Sequence, residues 1–148
     1  MITNTYTNSY SAEDTRRIGE AMGRQARAGE IYCLEGDLGV GKTVFTQGFA
    51  AGLGIEEPVS SPTFTIVQEY DGGRLPLYHF DVYRLEGPEE LEEIGYEEYF
   101  FGEGVCLIEW AGRVRELIPE DAVRVLIEKD LAQGFDYRKI TTEQEERK

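Results

Sequence analysis

Residues 31–43 of this 148-residue chain read IYCLEGDLGVGKT, a short apolar run that leads directly into a glycine-rich loop. The run 31–34 predicts a buried strand, because consecutive apolar residues before a turn signal suit a sheet that is covered on both faces. A helix is predicted over about 42–53, stopped by Gly54. A buried strand, a glycine-rich loop and a helix in this order indicate a phosphate-binding turn.

The loop matches the pattern GxxxxGK[ST] with Gly36, Asp37, Leu38, Gly39, Val40, Gly41, Lys42 and Thr43. Glycines let the backbone turn its N–H groups toward phosphate oxygens, and the positive end of the helix dipole adds to the attraction. Lys42 is predicted to reach the β- and γ-phosphates of a nucleotide, and the Thr43 hydroxyl to ligate Mg²⁺. The alternative, a strand-to-helix turn without a ligand, is disfavoured by the combined match of pattern and context.

Two carboxylates compete for the metal side of such a site. Glu109 ends the apolar run 105–108, so it is predicted at the carboxyl edge of a buried strand, where ligands bind in open α/β sheets. There it can hold Mg²⁺ or orient the attacking water; the alternative is an ordinary exposed glutamate. Asp81 follows Phe80 in a predicted hairpin strand, and its alternative is a polar-face residue. Phosphoryl transfer needs an oxygen partner for the metal and another for the water, and which carboxylate orients the water stays open.

For the remaining candidate residues, an ordinary structural role is a stronger alternative to a functional one. Thr63 follows Pro62 and is predicted either to sense the γ-phosphate or to belong to a proline-fixed loop. Trp110 can cap a pocket or stack on a base, and packing alone explains it equally well. His79 is predicted as a structural strand residue. The glutamate-rich stretch 88–100 is predicted as one helix with a solvated face, or as a docking surface for a basic partner.

Composition limits the class of protein. Lys plus Arg number 15 and Asp plus Glu number 29, for a net charge of −14, which argues against a large nucleic-acid surface. Cys33 and Cys106 are predicted to be two buried thiols, and with His79 as the only histidine a zinc site is disfavoured. No signal peptide or membrane span is expected. The guanine-reading motif Asn-Lys-x-Asp is absent, which disfavours a GTPase, and no arginine-rich lid of a small kinase is evident.

Alternating strands and helices predict an α/β sandwich that contains an antiparallel hairpin. One domain is expected over 1–148, with a frayed tail from about 142. The predicted helices span about 12–28 with Ser11 as N-cap, 42–53, 88–100 and 112–118. The predicted strands span about 4–10, 31–34, 63–70, 75–85, 105–108, 123–127 and 135–141, of which 63–70 and 75–85 form the hairpin.

Four motifs follow one another along the chain: the loop 36–43, Ser61-Pro62-Thr63-Phe64, His79-Phe80-Asp81-x-Tyr83-Arg84-Leu85 and Ile108-Glu109-Trp110. In this order and spacing they resemble the TsaE family of small bacterial ATPases, which serve in making the threonylcarbamoyl modification of the adenosine beside the tRNA anticodon. The similarity covers about residues 11–111, and the last forty residues match only in general character.

This resemblance implies a P-loop NTPase-like three-layer sandwich with a mixed sheet, a cytoplasmic location, and weak hydrolysis of ATP with Mg²⁺. It implies partnership with the TsaB–TsaD pair, in which TsaD makes the transfer to tRNA and the ATPase resets or activates the complex. The acidity then favours contact with tRNA only through the partners. A small-molecule kinase and a non-hydrolysing nucleotide-binding regulatory module are the rival interpretations.

The same resemblance assigns roles to single residues. Lys42 takes a phosphate and catalytic role, Thr43 and Glu109 hold the metal, and Asp81 is catalytic or orients water. Trp110 becomes a site residue. The chain departs from the family at Val44, where relatives often have a second threonine, although the backbone N–H of Val44 remains to contact phosphate.

Overall fold

A computed structural model describes residues 2–37, 39–60, 62 and 66–145. Within these residues seven strands form one sheet. They are β1 (Ile2–Ser9), β2 (Ile31–Glu35), β3 (Val67–Tyr70), β4 (Leu77–Asp81), β5 (Val105–Glu109), β6 (Val123–Lys129) and β7 (Arg138–Glu145). Their spatial order is β1-β7-β6-β2-β5-β4-β3. The four central strands β6, β2, β5 and β4 run parallel, and β1, β7 and β3 pair antiparallel at the two sides.

The helices cover both faces of this sheet. They are α1 (Ala12–Gln25), α2 (Lys42–Gly52), α3 (Pro88–Glu93), α4 (Tyr96–Phe100) and two 3-10 helices, Ala111–Leu117 and Leu131–Gln133. The predicted N-cap of α1 is confirmed, since the Asp14 N–H donates to Oγ of Ser11 at 3.1 Å. Among the described residues, no helix combines the length and the apolar character that a membrane crossing requires.

Alternate residues of β2 enter two different hydrophobic layers. Leu34 packs with Phe45 and Phe49 of α2, whereas Cys33 packs with Leu91 of α3 and Phe100 of α4. This alternation is the period of two that a strand imposes on its side chains. The predicted three-layer α/β sandwich is therefore confirmed, as is the antiparallel hairpin, which β3 and β4 form.

The prediction of one helix over 88–100 is wrong. The chain forms the two short helices α3 and α4, separated at Gly95, whose φ of 74° is left-handed. Glycine weakens a helix interior by about 1 kcal/mol relative to alanine, and glutamates spaced by four residues repel one another. Leu91 and Phe100 then reach the same apolar layer from two separate helices.

Several other boundaries differ from the expectation, among them the helix predicted over 12–28, which ends at Gln25, and the strand predicted over 75–85, which ends at Asp81. The segment predicted as a frayed tail is partly ordered, because β7 continues to Glu145 and pairs with Ile2 of β1. The segment predicted as a helix over 112–118 is a 3-10 helix with a kink at Val114. The final strand begins at Arg138 rather than at about 135. Residues 63–65 of the predicted hairpin lie outside the described residues.

Both cysteines are free and buried, as predicted. Burial raises the pKa of the Cys33 thiol and that of the Cys106 thiol to about 12. Both groups are therefore protonated at neutral pH and unreactive as nucleophiles, because the thiolate is the reactive species. The site chemistry must come from other residues.

Helices α1 and α2 approach closely through glycines on both partners. Gly19 and Gly23 of α1 and Gly48 and Gly52 of α2 each lie against backbone atoms of the other helix. A Cβ atom at Gly48 would collide with the carbonyl oxygen of Arg16. This contact fixes how α2, and with it the glycine-rich loop, sits on the sheet.

Replacing Gly48 with alanine is expected to destabilise the fold by about 1–3 kcal/mol, because backbone atoms cannot yield as a flexible side chain can. Urea unfolding monitored by circular dichroism measures the effect. Gly72→Ala is the matched control, since a Cβ there meets nothing within 4 Å. Equal stabilities of the two variants would contradict the close helix contact.

Candidate functional site

The carboxyl ends of three parallel strands meet at one edge of the sheet. Leu34 of β2 lies in register with Glu109 of β5, which in turn lies in register with Asp81 of β4. The glycine-rich loop leaves β2 directly beyond Glu35. The loop and the two carboxylates predicted from the sequence therefore share the edge at which ligands bind in open α/β sheets.

The described part of the glycine-rich loop has the backbone of an anion-binding turn. Gly39 and Gly41 have φ values of 79° and 110°, which only glycine adopts without strain. Gly41 is the N-cap of α2 and has no side chain to cap the first turn, so no side-chain cap competes for the first N–H groups of α2. Leu38 lies outside the described residues.

An arginine from the far end of the chain supports this loop. Nε of Arg138 donates to the carbonyl oxygen of Val40 at 2.9 Å, and its Nη1 donates to the carbonyls of Phe135 and Tyr137. In a trans peptide the carbonyl and the following N–H point in opposite directions, so this contact directs the Gly41 N–H away from Arg138. No motif in the sequence marked Arg138.

Trp110 connects the loop to β5 and β4. Nζ of Lys42 lies 4.2 Å from the centroid of the indole ring, and the ring of Tyr83 lies 4.8 Å from it. Trp110 is the one non-glycine residue with positive φ among the described residues, at 64°. Such a conformation costs on the order of 1–3 kcal/mol and is typical of functional sites. The indole therefore both packs and faces the site.

An open cleft of about 750 Å³ lies beside the loop, a volume within the range of small-molecule sites. Among its lining residues are five of the predicted site residues, namely Gly36, Asp37, Val40, Lys42 and Trp110. Arg113 and Lys129 also line it, as do Glu35 and Glu128. Sequence reasoning missed Arg113 and Lys129, since neither belongs to a recognisable phosphate-binding pattern.

Glu109 is buried, so its alternative as an exposed strand-end glutamate is wrong. It is 4% exposed and His79 is 1% exposed. Nε2 of His79 lies 2.8 Å from Oε2 of Glu109. A buried carboxylate without partners would be strongly unfavourable, so this hydrogen bond matters for keeping the charge in place.

Asp81 is less buried than Glu109, and one of its oxygens is already engaged. Oδ1 accepts a hydrogen bond from the Tyr83 N–H at 3.0 Å, which holds the carboxylate at the end of β4.

Thr43 is exposed on the first turn of α2, and Val44 next to it is half-buried. Thr63 lies outside the described residues. For a hard cation, the Thr43 hydroxyl and the Glu109 carboxylate remain the candidate protein ligands.

Comparison with known proteins places this site in a family. A family model described as "Threonylcarbamoyl adenosine biosynthesis protein TsaE" matches residues 9–140, which include the loop and both carboxylates. The chain belongs to the TsaE family. The resemblance seen in the four sequence motifs is thereby confirmed, and it extends over most of the last forty residues as well.

Individual TsaE relatives agree with this assignment. The chain is 50% identical over 129 residues to the tRNA threonylcarbamoyladenosine biosynthesis protein TsaE of Bacillus subtilis, covering 87% of this chain and 78% of that protein. It is 48% identical over 126 residues to the protein of that name from Treponema pallidum, covering 85% and 92%. The crystal structure of YdiB from Bacillus subtilis superposes with a TM-score of 0.81 and 40% identity, covering 97% and 87%.

The contact between Lys42 and Trp110 predicts a fluorescence signature. Trp110 is the single tryptophan of the chain, beside nine tyrosines, so emission excited at wavelengths that tyrosine does not absorb reports on its ring alone. Replacing Lys42 with methionine removes the ammonium from the ring face and is expected to change the intensity or position of the emission without any ligand.

Lys129→Met is the matched control, because Lys129 lines the same cleft and does not figure among the indole's ring contacts. Its spectrum is expected to equal that of the unaltered protein. Identical spectra for all three proteins would show that the ammonium does not lie on the indole in solution.

Proposed function

We propose that this protein binds ATP with Mg²⁺ and hydrolyses it slowly, as one component of the machinery that installs threonylcarbamoyl on the adenosine beside the tRNA anticodon. The observation that carries the proposal is a glycine-rich loop that lines a cleft together with Lys42, at the sheet edge where the buried Glu109 lies in register with Leu34. Membership of the TsaE family and the names of its relatives supply the process.

In this proposal the loop residues 36–41 and the backbone N–H groups of Lys42, Thr43 and Val44 hold the phosphates. Their N–H groups and the dipole of α2 offset phosphate charge, and the Lys42 ammonium adds a full positive charge. Asp37, Leu38, Thr63 and Trp110 are proposed as further nucleotide contacts. Lys42, 8% exposed, is already held beside the cleft by the indole.

Thr43 and Glu109 are proposed to hold Mg²⁺. The chemistry of the donors supports this, because hydroxyl and carboxylate oxygens are hard ligands and Mg²⁺ retains waters for its other positions. When bound, the ion draws charge from the phosphate oxygens as bonds break and form. Glu109 supplies the fixed negative charge that keeps a divalent cation at this edge, and its burial strengthens that attraction.

Asp81 is proposed to orient the attacking water. Its Oδ1 is engaged by the Tyr83 N–H, so the carboxylate has a defined position, and the group lies in register with Glu109 on the adjacent strand.

The cleft is open, however, and water around the phosphates weakens every electrostatic contact that stabilises the transition state. A low intrinsic rate follows, and a partner that covers the cleft is expected to raise it.

TsaB and TsaD are the proposed partners, with the ATPase resetting or activating their transferase complex. The net charge of −14 supports docking on a partner's basic surface and disfavours direct contact with the tRNA backbone. Because the family's process acts on tRNA, we also propose a cytoplasmic location.

ATP and ADP with Mg²⁺ are expected to raise the melting temperature, and GTP to raise it less, because the loop accepts any phosphate chain while a guanine-reading motif is absent. At a ligand concentration 100 times the Kd, binding adds about 2.7 kcal/mol to the free energy of unfolding. Differential scanning fluorimetry measures the shift, with EDTA as the control. A melting temperature that no nucleotide changes would contradict the proposed function.

Substituting the two carboxylates separately is expected to separate their roles. Glu109→Gln should weaken Mg²⁺-dependent ATP binding together with turnover. Asp81→Asn keeps the Oδ1 acceptor for the Tyr83 N–H, so it should lose turnover while ATP affinity stays within a few-fold, the pattern of a lost transition-state contact.

Calorimetric ATP titration with and without Mg²⁺, together with phosphate release, measures both effects. If Asp81→Asn abolishes Mg²⁺-ATP binding and Glu109→Gln does not, the two roles are reversed. If both variants bind and turn over normally, neither carboxylate belongs to the site.

A further inference from the structure

We infer that His79 is a positioning residue for the metal-binding carboxylate. Its main role in the core is to orient the Glu109 carboxylate toward the cation. The inference rests on the proposed function, since it assumes that Glu109 meets Mg²⁺. It extends that function by a residue to which the sequence motifs assigned only a structural role.

The strand pairing brings His79 and Glu109 together. β4 runs parallel to β5, with His79 in register with Leu107 and Asp81 in register with Glu109. Paired residues on neighbouring strands face the same side of a sheet, so His79 and Glu109 lie diagonally on the face that α2 covers. Nε2 of His79 reaches Oε2 of Glu109 at 2.8 Å, the length of a strong, charge-assisted hydrogen bond.

The histidine has a single polar contact among the described residues. Its Nδ1 is buried there without a hydrogen-bond partner, while Nε2 meets Glu109. A neutral ring with its proton on Nε2 suits this arrangement, because it donates to the carboxylate and leaves Nδ1 as a lone pair rather than as an unpaired donor. A histidine that served packing alone would be expected to satisfy both nitrogens or to be replaced by an apolar side chain.

The consequence for Glu109 is a fixed orientation. A glutamate has three side-chain torsions, and ordering them on ligand binding costs affinity. The bond from His79 holds Oε2 and so sets the plane of the carboxylate, which leaves Oε1 free of this contact. Groups that orient a metal ligand in this way change metal affinity by about 10–100-fold when they are removed.

The test measures how strongly Mg²⁺ and nucleotide reinforce each other's binding. The probe is the non-hydrolysable nucleotide β,γ-imido-ATP, titrated by calorimetry in excess MgCl₂ and in EDTA. The ratio of the two affinities is compared among the unaltered protein, His79→Gln and His79→Asn. The amide of glutamine reaches about as far as Nε2 of histidine, whereas the shorter asparagine amide falls short of Oε2.

In His79→Asn the ratio is expected to fall by about tenfold or more, with the affinity in EDTA changed less than threefold. In His79→Gln the ratio is expected to recover to within a few-fold of the unaltered protein. Phe80→Leu is the packing control, because Phe80 is buried on the opposite face of the same strand, and it should leave the ratio unchanged.

Three outcomes would overturn the inference. The first is an unchanged ratio in His79→Asn. The second is an equal loss in the glutamine and asparagine variants, or in Phe80→Leu, which would assign His79 a packing role. The third is a protein whose unaltered form binds the nucleotide equally with and without Mg²⁺, which would overturn the proposed metal site as well. If the dependence of binding on Mg²⁺ survives every substitution, the role of His79 is overturned but the proposed metal site is not.

Discussion

The parallel pairing of β2 with β5, and of β5 with β4, is the constraint on which the rest of the site depends. It aligns Leu34, Glu109 and Asp81 in one row, so the loop that leaves β2 begins on the strand next to Glu109, with Asp81 one strand further along the same edge. A shift of the β5 register by one residue would turn Glu109 to the opposite layer, among the aromatic side chains of α4. The close glycine contact between α1 and α2 then sets where the first turn of α2 lies above this row.

Among the residues that the structure describes, two charged groups of the site have few polar partners. Glu109 is buried with one histidine bond, and Lys42 is nearly buried against an indole ring rather than against a carboxylate. Buried charge is unfavourable unless it is paired, so in the proposed function both groups gain partners when Mg²⁺ and the phosphates of ATP bind. In that proposal the features that favour binding also cost stability in the free protein, and the open cleft leaves the phosphates accessible to water. This combination accounts for the slow turnover that we propose in the absence of a partner.

Local sequence patterns predicted the strands and the helix that build this edge. They did not predict contacts between residues that are far apart in the sequence. The runs 31–34 and 105–108 are continuously apolar because their strands are covered on both faces, so β2, β5 and the placement of Glu109 followed from pattern alone. The break at Gly95 depends on how two short helices meet the sheet, which periodicity does not reveal. Arg138 contacts Val40 across nearly a hundred residues, and β7 is extended by pairing with the opposite end of the chain. The hydrogen bond between His79 and Glu109 likewise depends on the strand register, which a single sequence does not specify.

The central claim is that the loop and Lys42 act on the phosphates of ATP, and phosphate release measured for the unaltered protein and for Lys42→Ala tests it most directly. Both proteins should be assayed alone and with the TsaB–TsaD pair, with circular dichroism to show that each is folded. The account predicts slow release by the unaltered protein, faster release with the partners, and a loss on the order of 100-fold or more in Lys42→Ala, because the ammonium offsets charge that develops in the transition state. Release by folded Lys42→Ala at the rate of the unaltered protein would contradict the account.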